Sequence, residues 1–373
     1  MGRDARSDAL NPVAFRSPWW RGTWIISRSQ DIVWLQGSVL AGLILLACFV
    51  AAPPLTSTNY HITQPAILLL LLWGVLMDGT HVWGTYARTY FAVDEASKAA
   101  LPSYVSWWVI LVGPAIALVD YAFFKPGPSI VGHAGALFGY FLVAAYLWAY
   151  YHLIRQHYGV MVLYNRKAGA ASRGDLDKLF LWIGCAYPFA RFSLSDAYYA
   201  SGLPHVLPHA WFGTARLLLD IAFAGAMLVL AARWVAWQRA EPAPFGPKST
   251  FLLIVVGFHI LVFGMLDNLL VITACLTIFH NIQYHRIVWQ YEAGKGRRPM
   301  GNVAVYLGVG LLFGAVWYGP RVVGVATANT DLLRNILIGA GWGVAFHHYI
   351  VDARIWRVRR RPDIAQTLDR GAG

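Results

Sequence analysis

The chain has 373 residues, a formal net charge of +12 and a mean hydropathy of +0.49, with 58% hydrophobic and only 13% charged residues. Because soluble domains carry about 25% charged residues, this composition excludes a soluble domain and predicts an integral membrane protein. The positive charge does not indicate nucleic-acid binding, because the basic residues fall mostly between apolar runs.

Apolar runs that could cross a bilayer core of ~30 Å recur along the whole chain. They predict an all-α fold, a polytopic transmembrane helical bundle of about ten helices, and the alternating pattern of a membrane barrel is missing. The bundle would occupy residues 33–352, between an N-terminal tail (1–32) and a basic C-terminal tail (353–373). The predicted spans are Val33–Ala52, Ala66–Tyr86, Tyr104–Phe124, Ile130–Tyr151, Leu179–Phe192, Trp211–Trp237, Phe251–Met265, Leu269–Trp289, Val303–Tyr318 and Leu332–Ile350.

The basic residues predict the orientation of these helices. They concentrate before the first run, between the fourth and fifth, after the eighth and after the tenth. Cytoplasmic loops are enriched in Lys and Arg, and an even number of helices places all four groups on one side. We therefore expect both termini in the cytoplasm, and location in the cytoplasmic (inner) membrane of a bacterium.

Histidines end several of the apolar runs. The sequences YHLIRQHYGV (Tyr151–Val160) and FHNIQYHRIV (Phe279–Val288) each contain HxxxxH, and FHHYIVDARIW (Phe346–Trp356) contains HHxxxD. Imidazoles and carboxylates are costly in or beside a bilayer, so several at one depth favour a metal site.

Topology brings these residues together, because the second, fourth, eighth and tenth helices would all run toward the cytoplasm. Their number exceeds the three or four ligands of one zinc ion and suits two metal ions. Asp352 is expected to act as a ligand or bridge and Asp78 to support the ligands. The predicted metal ligands are His81, His152, His157, His280, His285, His347 and His348.

Helical phase constrains the HxxxxH pairs. At about 100° per residue, His348 and Asp352 share a helix face, whereas histidines five residues apart are separated by ~140°. Both members of a pair reach one cluster only if the helix widens into a π-turn or ends between them. Alternatively, one histidine binds metal and the other orients a ligand through its second ring nitrogen.

Other residues were candidates for supporting roles. His259, in the middle of the seventh run, could extend the site or pair with Asp267, and His61 and His205 are interpreted as interfacial residues. His133 and His209 are possible additional ligands on the opposite side. Aromatic residues near the cluster could line a substrate cavity or simply pack: Trp83, Tyr151, Tyr284 and Tyr349.

An internal repeat is also possible, between residues about 78–165 and 206–293. His152 and His157 align with His280 and His285 at an offset of 128 residues, and THVWGT and PHAWFGT align at the same offset.

The histidine motifs resemble those of the membrane-bound fatty-acyl desaturases and hydroxylases. The two HxxxxH pairs are similar to the first histidine box of that group, and His347–His348 to the paired histidines of its later boxes. The chain departs from the pattern because Gly343 and Val344 replace the additional box residues, and because ten helices exceed the usual four to six. The resemblance implies non-haem diiron chemistry with dioxygen.

The sequence thus favours a dinuclear metal oxidoreductase, an oxygenase, hydroxylase or desaturase that acts on a lipophilic substrate in the lipid bilayer. Iron is the expected metal, with copper and zinc as alternatives, and an external electron donor is required because no GxGxxG nucleotide motif follows a strand. A b-type cytochrome or quinone-linked protein with haem b, and a metal or proton transporter, are the alternatives.

Overall fold

The computed structural model describes residues 23–51, 64–91, 104–124, 127–129, 132–134, 136–168, 174–239, 246–296, 302–356 and 363–370. Apart from one short hairpin, the regular structure in this part of the chain is helical, which confirms the predicted all-α class. His61 lies outside the described residues.

A helix is present at each of the ten predicted positions. The second of these is continuous but contains a π-helical segment, Gly74–Gly79, between α2 and α3. The helices are α1 (Arg28–Ala51), α2 (Gln64–Trp73), α3 (Thr80–Arg88), α4 (Val109–Phe123), α5 (Ala136–Lys167), α6 (Gly174–Phe192), α7 (Asp196–Ala200), α8 (Phe212–Arg239), α9 (Pro247–Met265), α10 (Leu269–Gly294), α11 (Val303–Thr327), α12 (Asp331–Ile355) and α13 (Asp363–Arg370).

Six helices of the described part are long and apolar enough to cross a membrane: α1, α4 together with the turn before it (Ser106–Phe123), α5, α8, α9 and α11. The α2–α3 helix, α6, α10 and α12 lie at predicted spans but are interrupted or carry more polar residues. In α10 those polar residues are largely buried within the protein. The total of ten spans and the cytoplasmic termini remain predictions.

The fourth predicted span begins later than expected. Helix α5 starts at Ala136 rather than Ile130, because the preceding segment forms an antiparallel hairpin of β1 (Gly127–Ser129) and β2 (Gly132–Ala134). Glycine and proline, which disfavour helix, recur through this segment. His133 therefore lies in a strand and not in a helix.

The C-terminal segment contains a helix that the sequence analysis missed. Helix α13 packs on α10, with Ile364 and Leu368 fully buried. The Gln290 side-chain amide donates a hydrogen bond to the carbonyl of Leu368 (3.0 Å). The basic tail is thus partly folded onto the bundle.

Helices α4 and α12 form the most extensive helix pair. A Cβ atom on Gly339 would lie 2.6 Å from the carbonyl carbon of Gly113, so the two backbones touch. Small residues allow such close contacts between membrane helices. This contact fixes the position of α12, which carries His347, His348 and Asp352.

The predicted orientation can be tested at the two ends of α10. We expect Lys295→Cys to react with a membrane-impermeant maleimide only from the cytoplasmic side and Asp267→Cys only from the outside. Cys185 and Cys275 are buried, and Cys48→Ser removes the exposed native thiol. Labelling with the opposite sidedness would show the orientation to be wrong.

Candidate metal centre

Four helices each place a histidine and, one turn later, a second polar side chain on the same face. Residues four apart on a helix are neighbours, and here the histidines contact one another while the second residues contact one another. The four helices therefore run in the same direction, as the sequence predicted. The pairs are His81 and Thr85 on α3, His152 and Gln156 on α5, His280 and Tyr284 on α10, and His348 and Asp352 on α12.

The imidazole rings form a compact cluster. The ring centre of His81 lies 4.6 Å from that of His348 and 4.7 Å from that of His280, and His152 lies 5.1 Å from His348. One ligand atom from each of His81, His152, His348 and Asp352 lies within 4.8 Å of every other. All four residues are at most 9% exposed.

Asp352 is the centre of the hydrogen-bonded layer. Its Oδ1 accepts hydrogen bonds from the hydroxyls of Thr85 (2.7 Å) and Tyr284 (2.9 Å), and its Oδ2 accepts one from the amide of Gln156 (2.6 Å). The indole of Trp356 in turn donates to the Tyr284 hydroxyl (3.3 Å). These bonds fix the carboxylate, which lies beside His152 and His348 with Nε2–Oδ2 distances of 3.9 and 3.7 Å.

Hydrogen bonding leaves metal-binding nitrogens free. We assign the single hydroxyl hydrogen of Thr85 to Asp352, because a carboxylate can only accept; the Nδ1–H of His348 then donates to Thr85 Oγ1 (2.8 Å). The Nε2 of His348 then carries a lone pair, and it has no hydrogen-bond partner; the buried Nδ1 of His81 also has none. Since an unsatisfied buried polar atom costs about 1–3 kcal/mol, such converging nitrogens favour a bound ion.

The spacing of the four residues fits one first-row transition-metal ion. Nitrogen and oxygen ligands bind at about 2.0–2.2 Å, so two ligands of one ion are at most about 4.4 Å apart, and a contraction of a few tenths of an ångström brings all four into range. Gln156 Nε2 now lies 2.7 Å from His152 Nε2. Metal binding at this nitrogen requires the amide to turn aside while keeping its bond to Asp352.

A second group of histidines adjoins the first. The ring centre of His157 lies 5.7 Å from that of His259 and 5.9 Å from that of His280. His157 and His259 are fully buried. His259 donates its Nδ1–H to the carbonyl of Val255 (2.8 Å), which leaves a free lone pair on Nε2. Neither nitrogen of His157 makes a hydrogen bond of ordinary geometry. The side chain of Gln283 lies beside it, and the Gln283 amide donates to the carbonyl of Leu35 (2.6 Å).

Two predicted ligands lie outside both groups. His285 makes hydrogen bonds through both nitrogens, to the hydroxyls of Tyr306 (2.9 Å) and Thr80 (3.0 Å). His347 likewise contacts the hydroxyls of Tyr86 (3.0 Å) and Tyr90 (3.2 Å). Both nitrogens of each residue are engaged in hydrogen bonds, and the role of these two residues as metal ligands stays a prediction.

Of the two alternatives for the HxxxxH pairs, a helix that widens or ends between the histidines is wrong. Helices α5 and α10 continue as α-helix past His157 and His285. The ~140° rotation is accommodated differently, because other helices surround α5 and α10. His157 meets His259 of α9, and His285 meets Thr80 at the start of α3. Among the described residues, π-helical segments occur at Asp31–Gln36 and at Gly74–Gly79, just before His81.

The remaining candidates are dispersed. Asp78 lies in the π-helical segment, half-buried and within electrostatic reach of Tyr349. His209 is exposed and pairs with Asp196 (2.9 Å), away from the cluster. Trp83 packs in a separate aromatic group and donates to the carbonyl of Tyr306 (3.2 Å).

A cavity of about 120 Å³ reaches the cluster between α5, α10 and α12. His152, His280 and Asp352 contribute to its wall. Three of the four aromatic candidates also line it: Tyr151, Tyr284 and Tyr349.

Thr85 and Gln156 are the functional candidates that sequence reasoning missed. Each lies four residues after a predicted ligand, the same spacing as His348 and Asp352. Applying that spacing to His81 and His152 would have found both.

No protein-family model matches the chain, and comparisons with curated proteins and with solved structures also give no match. Because a fold alone does not determine function, the chemistry of the site carries the functional argument.

Proposed function

We propose that this protein is a membrane-embedded metal-dependent oxidoreductase that uses dioxygen to hydroxylate or desaturate a lipophilic substrate. The observation that carries the proposal is the convergence of three imidazoles and a carboxylate from three helices at the wall of a cavity, with His81 Nδ1 and His348 Nε2 making no hydrogen bond. In a structural metal site, protein ligands fill every coordination position. A cavity that reaches the ligands leaves room for a substrate or dioxygen beside the metal, and therefore favours a catalytic site.

The chemistry of the donors favours iron, with copper and zinc as alternatives. Imidazole suits all three metals, but of the three only iron and copper change oxidation state, which the reduction of dioxygen requires. A bound iron ion would supply the binding and reduction of dioxygen. A haem is disfavoured because ligand atoms of His81, His152, His348 and Asp352 all lie within 4.8 Å of one another, which leaves no space for a porphyrin between them.

The proposed stoichiometry is two ions. His81, His152, His348 and Asp352 would hold the first, and His157, His259 and His280 the second, with His280 between the two groups. The support for the second position is the fixed tautomer of His259 and the unpartnered nitrogens of all three residues.

The reaction balances with an external donor of two electrons and two protons. In hydroxylation, one C–H bond and dioxygen then give an alcohol and water; in desaturation, two C–H bonds give an alkene and two water molecules. The side chains of Tyr284, Thr85 and Gln156 orient Asp352, and the buried walls exclude bulk water from the reacting carbon.

Metal analysis tests the two positions. We expect about two iron ions per chain in the purified protein and about one in the double variant His157→Ala/His259→Ala. The exposed His209→Ala serves as the control and should keep both. One ion per chain in the wild-type protein, or an unchanged metal content in the double variant, would show that the second metal site does not exist.

Turnover tests the reaction. Iron-loaded protein in liposomes of bacterial lipid extract supplemented with free fatty acids, and supplied with ascorbate and ¹⁸O₂, should yield lipids or fatty acids that have gained ¹⁸O or lost two hydrogens, as measured by mass spectrometry. His348→Ala should give neither product. If iron-loaded wild-type protein also gives neither, the proposed reaction fails.

A further inference from the structure

Arg155 stands at the mouth of the cavity. It is exposed on α5, three residues after His152, and its Nη1 donates to the hydroxyl of Tyr151 (3.1 Å). No carboxylate of the described residues lies within ion-pair distance of it. A guanidinium in this position can bind a carboxylate through two parallel hydrogen bonds.

The cavity has an apolar part and a part that borders the metal site. Trp148, Val160, Leu163 and Ile287 contribute apolar wall, whereas His152 and Asp352 belong to the metal site. The volume of about 120 Å³ suffices for a short length of one hydrocarbon chain.

We infer that the substrate is a single-chain amphiphile with an anionic head, whose carboxylate pairs with Arg155 while its chain enters the cavity. This inference rests on the proposed function, since it names the substrate class of the same site. Three residues of α-helix span about 4.5 Å, so the bound head lies close to the metal ligands. The part of the chain beside the ligands is therefore the part nearest the head.

Gly159 allows the cavity to be closed without disturbing the fold. It lines the cavity, and a Cβ atom built on it meets no atom within 4 Å. A leucine there would occupy the space of the chain. Gly225 on α8 is exposed, has the same free surroundings and lies outside the cavity, so Gly225→Leu is the matched control.

The experiment measures equilibrium binding of radiolabelled dodecanoate and dodecanol to the metal-loaded protein in phosphatidylcholine nanodiscs. We expect dodecanoate to bind about tenfold more tightly than dodecanol, as for a charge-assisted hydrogen bond. Arg155→Gln should abolish this preference, Gly159→Leu should abolish binding of both, and Gly225→Leu should change neither. Metal content is measured in each variant and should not change.

Several results would overturn the inference. Equal binding of dodecanoate and dodecanol, or no effect of Arg155→Gln, would show that Arg155 does not recognise an anionic head group. Competition by phosphatidylglycerol in the nanodiscs, with no effect of Gly159→Leu, would assign Arg155 to the phosphate of bilayer lipids instead. A wild-type protein that contains no metal would refute the proposed function. The metal content is measured independently of ligand binding, so the two failures can be distinguished.

Discussion

Replacing His348 with alanine is expected to remove most of the metal from the first position and to abolish activity. His348 supplies an unprotonated Nε2 fixed by Thr85, and its side chain lies at the centre of the cluster. Loss of groups that merely orient ligands lowers metal affinity by about 10–100-fold, so loss of a ligand should cost at least as much. Iron analysis after dialysis against a chelator gives the occupancy.

His347 provides the matched control, because it is the neighbouring residue on the same helix. Its nitrogens contact the hydroxyls of Tyr86 and Tyr90, and its ring stacks on Trp107 (3.9 Å between ring centres). His347→Gln should therefore retain metal. If His347→Gln loses metal and His348→Ala keeps it, the assignment of ligands on α12 is reversed.

Gly339→Ala is expected to destabilise the bundle strongly. The added methyl group would lie 2.6–2.9 Å from backbone atoms of Gly113 and Pro114, and no rotamer change can relieve a contact with backbone. Overpacking costs about 1–3 kcal/mol, occasionally more, and here the upper end applies. Because α12 carries His348 and Asp352, metal affinity should fall as well.

The same substitution at Gly308 is the control. Gly308 is exposed on α11 and a Cβ atom there meets nothing within 4 Å. Alanine stabilises a helix by about 0.5–1 kcal/mol relative to glycine, so Gly308→Ala should be neutral or stabilising. Denaturation in sodium dodecyl sulfate, followed by circular dichroism, compares the two. Equal stability of both variants would contradict the close α4–α12 contact.

The positions of the helices could be predicted because hydropathy is a local property. Each of the ten apolar runs corresponds to a helix, and the common direction of the four histidine-bearing helices followed from their order. The i and i+4 spacing of His348 and Asp352 also determined that they share a face. The hairpin before α5 was missed because its glycine and proline residues give no periodic signal. Helix α13 was missed although Ile364 and Leu368 have the i, i+4 spacing of one helix face, because the segment was interpreted only as a basic tail.

The partner of each histidine was decided by tertiary structure. The sequence gives His152 and His157 the same flanking pattern as His280 and His285, but which nitrogen stays free depends on what the neighbouring helices present. Thr85 orients His348, Val255 orients His259, and Tyr306 with Thr80 occupies His285. Residue type and spacing therefore determined a histidine-rich membrane bundle, whereas contacts between distant segments decided which histidines can bind a metal.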